Sequence, residues 1–497
     1  MENQKLLTQN RITVIDALRG FALLGVVLVH MNQRYSNFAW GLPPREPVFS
    51  GLDPFVGWLV QNVLMGRFIN IFAFLFGMSF FIQMDRAAQK GIDFRGRFLW
   101  RMVVLFVIGL VGSAFYSGDI LSLYAVYGVV LVLLYKCKNW VLLVLAVFLL
   151  GGGPKLAMMQ YDKMTATEQQ QQQMPPFNMP MPRAEDGAAP QAPSMPMPNN
   201  ESQPMGEGAE GVAGEPQHQH QPQHQHQPQY QHQPRPHHPA MAQGEQGGPS
   251  GERPAEMRPP GRMGGGFRGP MPQMEKPSFW STAKQNLTGG FLSKIGYQYS
   301  MTNRGFITLA LFILGFIVGR LRFFETAHLR RRRNWILLAG FVVAWFVLGW
   351  VISLLPEPRQ GAMVFMPFAA PPTVASTIST ALADIQTVIF SAALTMLFVV
   401  LYQLPIIKTC LDVLAPYGKM GLTNYVSQSI IGAILFASWA FGATFGTWSA
   451  TETFLLGLVV YIAQILVSAL WLKYFKYGPL EWLWRTATYM KMQPFKK

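Results

Sequence analysis

The sequence predicts an all-α fold: a polytopic membrane helix bundle of about ten transmembrane helices, with the N-terminus and C-terminus cytoplasmic and a long disordered outside loop. Three observations predict it. Half of the residues are hydrophobic and only 13% are charged, against about 25% in soluble domains. Ten apolar stretches recur along the chain at lengths near those that cross a bilayer. The basic residues gather in alternate connections between the stretches, a bias that fixes orientation in a membrane. The formal net charge of +15 is therefore loop charge. It implies the lipid bilayer as partner and no nucleic acid.

The first stretch, Arg11 to Gln33, has the most unusual content. From Ile12 to Met31 it is long enough to cross a hydrocarbon core of ~30 Å at ~1.5 Å per residue, yet it carries Asp16, Arg19 and His30. A charge facing lipid costs roughly 2.5–3.5 kcal/mol on insertion scales, so these groups are expected to face a bundle interior or a watery cavity. Asp16 and Arg19, three apart, share a face and can neutralise each other. Arg19 and His30, eleven apart, fall within about 20° of one line and roughly 16 Å apart along the axis. Two readings fit: a structural ion pair with an interfacial histidine, or one functional face with a cation near one end and an imidazole near the other.

The remaining spans are read at about 68–84, 102–116, 120–135, 140–153, 306–319, 335–354, 382–402, 421–441 and 453–472. With a cytoplasmic N-terminus, the inside connections hold Arg86, Lys90, Arg95, Arg97 and Arg101, then Lys136 and Lys138, then Arg320, Arg322 and Arg330 to Arg333, then Lys408 and Lys419, and last Lys473 to Lys497. All of them obey the positive-inside bias. Cys137 and Cys410 fall at the cytoplasmic edge, where thiols stay reduced. The segment before Ile12 lacks the short apolar core and cleavage site of a removed signal peptide, so the first helix is expected to remain in the mature protein.

Several connections carry groups of interest. The outside connection after the first span has a Pro-rich knuckle at Pro43 to Pro47, and Phe55 to Met65 have apolar positions at helical spacing suited to the membrane surface. Arg67, at the outer edge of the second span, suits a snorkelling anchor or a contact to an anionic acceptor. Asp119, in the turn Ser117-Gly118-Asp119-Ile120, suits a cap for the following helix. Its functional alternative is a carboxylate that orients His30, as an acid orients a base.

From about Met158 to Pro277 the composition changes to Pro, Gln, Gly, Met and His, which cannot bury a core and is expected to stay disordered. This gives three regions: helices one to five in 1–157, an outside insert in 158–277, and helices six to ten in 278–497. Seven of the nine histidines lie between His218 and His238. That tract reads as a spacer, with weak metal binding as the alternative, and no metal site is expected elsewhere. Outside it only His30 and His328 remain. In the second half, Arg330 to Arg333 read as a stop-transfer run or as a phosphate site for a nucleotide-bearing donor. Thr423, Asn424 and Gln428 put polar groups inside a span, where they either join helices at roughly 0.6 kcal/mol each or line a substrate cavity. Glu481 and Arg485, an i,i+4 pair beside Trp482 and Trp484, read as an interfacial anchor helix.

Arg19, ten intervening residues and His30, introduced by Asp16-x-x-Arg19-Gly20, resemble the Arg-x10-His signature of membrane acyltransferases that O-acylate sugars. The wider stretch DALRGFALLGVVLVH, with GRFINIFAFLFG from Gly66, SGDILSLYA from Ser117, GKMGLTNYVSQSIIG from Gly418 and FKYGPLEWLWR from Phe475, resembles the YeiB-like family of bacterial multi-pass proteins, a domain of unknown function. That family is similar to a branch of the same acyltransferase superfamily. The resemblance implies a cell inner (cytoplasmic) membrane enzyme that takes an acyl group from cytoplasmic acyl-CoA, with acetyl-CoA as donor substrate and no tightly bound cofactor. The acceptor would be an outside hydroxyl or amine on an envelope glycan or small molecule. In that picture His30 is the general base or acyl relay, Arg19 holds the donor or the developing charge, and Asp16 fixes Arg19. Two rivals stand beside it. One is a transporter or exporter with Asp16, Arg19 and His30 in a substrate or proton path; no internal repeat between the halves is evident. The other is a platform whose business is the Met- and His-rich insert.

Overall fold

The computed structural model describes residues 13–35, 51–173, 278–358 and 372–497. Every regular element among them is helical, apart from an isolated bridge between Phe475 and Lys496. The helices are α1 (Thr13–Asn32), α2 (Asp53–Leu59), α3 (Arg67–Ala88), α4 (Arg95–Phe115), α5 (Leu121–Leu134), α6 (Asn139–Leu150), α7 (Gly153–Gln173), α8 (Phe279–Leu287) and α9 (Gly289–Ile295). They continue with α10 (Arg304–Arg320), α11 (Arg331–Ser353), α12 (Val374–Tyr402), α13 (Pro405–Asp412), α14 (Leu414–Lys419), α15 (Gly421–Phe436), α16 (Ala450–Tyr474) and α17 (Pro479–Tyr489).

A helix stands at each of the ten expected stretches, but length separates them. Six segments are long and apolar enough to cross a membrane: 13–32, 53–88, 95–115, 331–353, 374–402 and 450–474. The number rises to eight if α6 with α7, bent by 60°, and 279–301 with α10, bent by 79°, each count as one broken span. The 14 residues of α5 reach only ~21 Å at ~1.5 Å per residue. The 16 residues of α15 reach ~24 Å on the same rise and include Thr423, Asn424, Ser427, Gln428 and Ser429. By length and hydropathy, six to eight of the ten expected stretches among the described residues qualify as full spans.

A second difference lies at the edge of the insert. The expected disordered region begins at residue 158, yet α7 runs to Gln173, because Ala, Met, Glu and Gln there are good helix formers. The Pro43 to Pro47 knuckle and the His218 to His238 tract lie outside the described residues.

At the centre stands α1. Twelve of its 20 residues are buried, including Leu18, Leu23, Val26, Val27 and Met31. It packs against α3, α14, α15 and α16. The α1–α3 pair is antiparallel: Phe21 meets Phe68 with ring centroids 5.0 Å apart, while Arg19 meets Ser79. By contrast α3 and α10 run in parallel, with Phe76 on Phe312 at 4.8 Å and Phe80 on Phe316 at 5.5 Å. The periphery is apolar and exposed, as a lipid-facing surface must be: Ile336, Val343, Phe346, Val347 and Trp350 on α11, and Val459, Ile462, Leu466 and Leu470 on α16. Ser449 with Glu452 and Thr373 with Ser376 form reciprocal caps that start α16 and α12.

Candidate functional site

The site is built along α1, and its two ends differ in chemistry. At the first end Arg19 Nη1 donates to Asp16 Oδ1 at 2.7 Å, and Arg19 Nη2 donates to Ser79 Oγ on α3 at 2.5 Å. The Asp16 side chain is 3% exposed and that of Arg19 25%. The carboxylate is thus buried and the arginine side chain partly exposed. Helix α14 lies directly against this turn. A Cβ on Gly418 would fall 1.8 Å from the Asp16 carbonyl oxygen, so only glycine permits the approach. Beside the contact opens a cleft of about 340 Å³, lined by Thr13, Asp16, Pro416, Lys419, Lys473 and Lys497. Three lysines around one carboxylate make it a setting for an anion.

One polar group of α16 fastens α1, and polar groups of α15 bind the helices that pack on it. Tyr461 donates to the Gly20 carbonyl at 2.9 Å. Asn424 Nδ2 donates to the Tyr417 carbonyl at 3.0 Å and to Ser468 Oγ at 2.9 Å. Gln428 Nε2 donates to Tyr417 Oη at 2.5 Å and to Gln464 Oε1 at 3.2 Å, while its own Oε1 is buried without a partner. Both amides therefore join α14, α15 and α16, the helix-joining alternative of the sequence reading.

At the other end His30 lies in an aromatic nest. Its ring is 5.3 Å from Tyr35 and 5.1 Å from Tyr116, which are themselves 5.0 Å apart. Asp119 is close by and fully buried. Its Oδ2 accepts from the Leu121 N–H at 3.0 Å, the helix-capping role, and its Oδ1 is buried without a partner. Burial pushes the Asp119 carboxyl up to about 7, with Lys294 pulling the other way. Lys294, itself buried, donates to the Asp119 carbonyl at 2.9 Å and to Ser113 and Ser122 Oγ at 3.2 Å. Tyr116 stands beside His30 where a direct Asp119 bond was the functional alternative. The buried hydroxyls of Tyr35 and Tyr124 are unpartnered.

Along the 19-to-30 line, Leu23 and Val26 are buried in the core, so packed side chains separate the two ends. Arg67 belongs to neither: its Nη1 donates to the carbonyls of Met65 at 2.7 Å and Gln61 at 3.0 Å. In the basic cluster, Arg320 donates to the Cys137 carbonyl, Arg322 pairs with Asp85 at 3.0 Å, and Arg333 covers the Phe323 ring. Those contacts fit an anchoring run. Glu481 does not pair with Arg485. It accepts from the Leu422 and Thr423 N–H groups at 2.7 and 3.1 Å and from Thr423 Oγ1 at 2.5 Å, capping the start of α15 from a distance.

A family described as a protein of unknown function (DUF418) matches residues 318–491, the stretch that supplies α14, α15 and α17. The uncharacterized protein YeiB of Escherichia coli (strain K12) is 40% identical over 75 residues, covering 15% of this chain and 19% of its own. The uncharacterized protein YxaH of Bacillus subtilis (strain 168) is 24% identical over 508 residues, covering 99% of this chain and 98% of its own. These matches support the YeiB-like family that the motifs resemble. An uncharacterized 39.9 kDa protein in the amylase 3' region of Bacillus acidopullulyticus is also similar, 24% identical over 492 residues, covering 97% of this chain and 95% of its own. No solved structure matches.

Two motifs used to recognise the YeiB-like family now have a physical account. In GKMGLTNYVSQSIIG, Gly418 allows contact with α1, and Asn424 and Gln428 tie three helices. In FKYGPLEWLWR, Glu481 caps α15 and Trp484 donates to the Arg101 carbonyl at 2.9 Å. Ser79, Tyr116 and Lys294 were not singled out from the sequence. A lone lysine in FLSKIGY was the one signal available for Lys294; nothing linear marks the other two. Among the described residues no group of three or more His, Cys, Asp or Glu converges as a metal site would require.

Proposed function

We propose that this member of the YeiB-like family is an acyltransferase of the cell inner (cytoplasmic) membrane, moving an acetyl group from cytoplasmic acetyl-CoA to an outside hydroxyl acceptor such as an envelope glycan. The ten-span arrangement with both termini cytoplasmic is part of the proposal. It would put Asp16 and Arg19 inside and His30 outside. The observation that carries the reading is the cleft at the start of α1, where Lys419, Lys473 and Lys497 surround Asp16, the carboxylate that holds Arg19 together with Ser79. Guanidinium and ammonium groups suit the phosphates of a nucleotide-bearing donor. His30, one helix length away among two tyrosines, is the group suited to take a proton from the acceptor. Leu23 and Val26 would have to move during transfer, so a conformational step belongs to the mechanism.

The test is acetyl-CoA binding and acetyl release by the purified protein, with Arg19→Ala and His30→Ala alongside. Saturable binding that weakens in the first variant, and acetyl release lost in the second, supports the proposal. Absence of binding by folded wild-type protein overturns it. The transport reading would then come first, favoured by the buried Asp119 whose Oδ1 lacks a partner, a group of the kind found on proton paths.

A further inference from the structure

Away from the His30 and Asp16 ends, four ionisable side chains from four helices converge. Arg67 opens α3, Arg304 opens α10, Lys155 is in the first turn of α7, and Asp384 is the eleventh residue of α12. These helices adjoin one another: α3 packs on α10 and α12, and α7 on α12. All four residues are half-buried. The Arg304 guanidinium lies over Gly66, where an added Cβ would sit 2.3 Å from Nη2 and 2.9 Å from Nη1. Gly66 has φ +79° and immediately precedes Arg67, so this turn sets the two arginines side by side. Arg67 uses Nη1 on two carbonyls and its Cζ is 5.8 Å from the Phe390 ring centroid, but its Nε is buried without a partner. The bend at Gly152 brings α7 against Ala381, one turn before Asp384. Electrostatically, Arg67 feels Arg304, and Asp384 feels both Arg304 and Lys155. Among the described residues none of the four makes an ion pair within 4.0 Å.

Arg304 and Lys155, whose Nζ also donates to the Ser300 carbonyl, neighbour Asp384, and Arg67 lies beside Arg304; three cations near one carboxylate without close ion pairing leave positive charge that a bound anion would balance. Guanidinium groups hold phosphate oxygens through paired N–H donors, and the idle Nε of Arg67 is such a donor. Asp384 constrains the ligand further. A carboxylate repels a bare phosphate and accepts from a hydroxyl, so the ligand must carry both. Depth argues in the same direction. The 29 residues of α12 span ~43 Å at ~1.5 Å per residue, longer than the ~30 Å hydrocarbon core. Asp384, ~15 Å from the start of that helix on the same rise, and two helix-opening arginines therefore suit the headgroup layer. We infer that Arg67, Arg304 and Lys155 bind the phosphate, and Asp384 a hydroxyl, of a glycerol-phosphate-type ligand, presented by an anionic phospholipid headgroup or by a soluble polyol phosphate. This site does not depend on acyl transfer.

Calorimetric titration of the full chain in neutral detergent tests it. The probes are dihexanoyl phosphatidylglycerol, dihexanoyl phosphatidic acid, dihexanoyl phosphatidylcholine and sn-glycerol 3-phosphate. Phosphatidylglycerol should bind saturably and the choline lipid should not. Arg304→Gln and Arg67→Gln should weaken phosphatidylglycerol by about tenfold or more, while Arg304→Lys keeps much of it. Asp384→Asn should weaken phosphatidylglycerol yet strengthen phosphatidic acid, which has no headgroup hydroxyl; opposite shifts cannot come from misfolding. Glycerol phosphate binding as tightly as the lipid identifies the soluble source, and much weaker binding identifies the lipid. Equal binding of the glycerol and choline lipids, or unchanged affinity in both arginine variants, overturns the inference.

Discussion

Lys294→Met is the sharpest test of the buried polar cluster at the His30 end. The lysine is 6% exposed and its Nζ satisfies the Asp119 carbonyl and the hydroxyls of Ser113 and Ser122. Methionine keeps the length and removes the charge. Three acceptors lose their donor, and the fully buried Asp119 loses the nearby cation. Breaking one partner of a buried charged pair costs on the order of 3–5 kcal/mol, because the other is left uncompensated. Asp119 can escape by taking a proton, so the loss should grow with pH, by up to about 1.4 kcal/mol per unit above its folded value near 7. At ~2 °C per kcal/mol, suitable for a large domain, the midpoint should fall by about 6–10 °C at pH 8 and less at pH 6. Thermal unfolding in detergent, followed by tryptophan fluorescence, reads this directly. The double variant with Asp119→Asn should recover part of the loss. A midpoint within 1 °C of wild type at pH 8, or a double variant no better than Lys294→Met, would refute the reasoning.

Three further outcomes follow from the same geometry. In the wild type, Asp119 is raised from 3.8 to about 7, so the folded state holds a proton that the unfolded chain has lost. Stability should therefore fall as pH rises from about 4 to about 7, by up to roughly 4 kcal/mol, and Asp119→Asn should flatten that slope in thermal melts. Gly418→Ala should lower the melting midpoint by several degrees and impair monodispersity on gel filtration, since its Cβ would meet the Asp16 carbonyl at 1.8 Å; Gly340→Ala, with nothing within 4 Å, should not. Glu481→Ala leaves the Leu422 and Thr423 N–H groups without their acceptor. It should cost about 2–3 kcal/mol and hasten proteolysis around α17, with Glu481→Gln in between.

Much of the fold was legible because hydropathy adds up along the chain. The apolar stretches, their polar interruptions and the Asp16–Arg19 pair all depend on residues within a turn or a helix of one another, and the pair forms as spacing requires. The same local arithmetic does not tell a full span from a shorter apolar helix: α5 is apolar enough but ends after 14 residues. Nor did local pairing rules foresee Glu481, whose i,i+4 neighbour Arg485 loses to two N–H groups at the start of α15 nearly 60 positions away.

The sequence by itself determined that this protein is a helical membrane protein, that α1 carries the unusual charges, and which family its motifs resemble. Tertiary structure alone decided what those charges face. Ser79 completes Arg19 from 60 residues away, Lys294 reaches the Asp119 turn from 175 away, and Tyr461 fastens Gly20 from 441 away. The physical reason is that an unpaired polar group buried in an apolar bundle costs several kcal/mol wherever its partner lies in the chain. Sequence shows the need for a partner; helix packing chooses it.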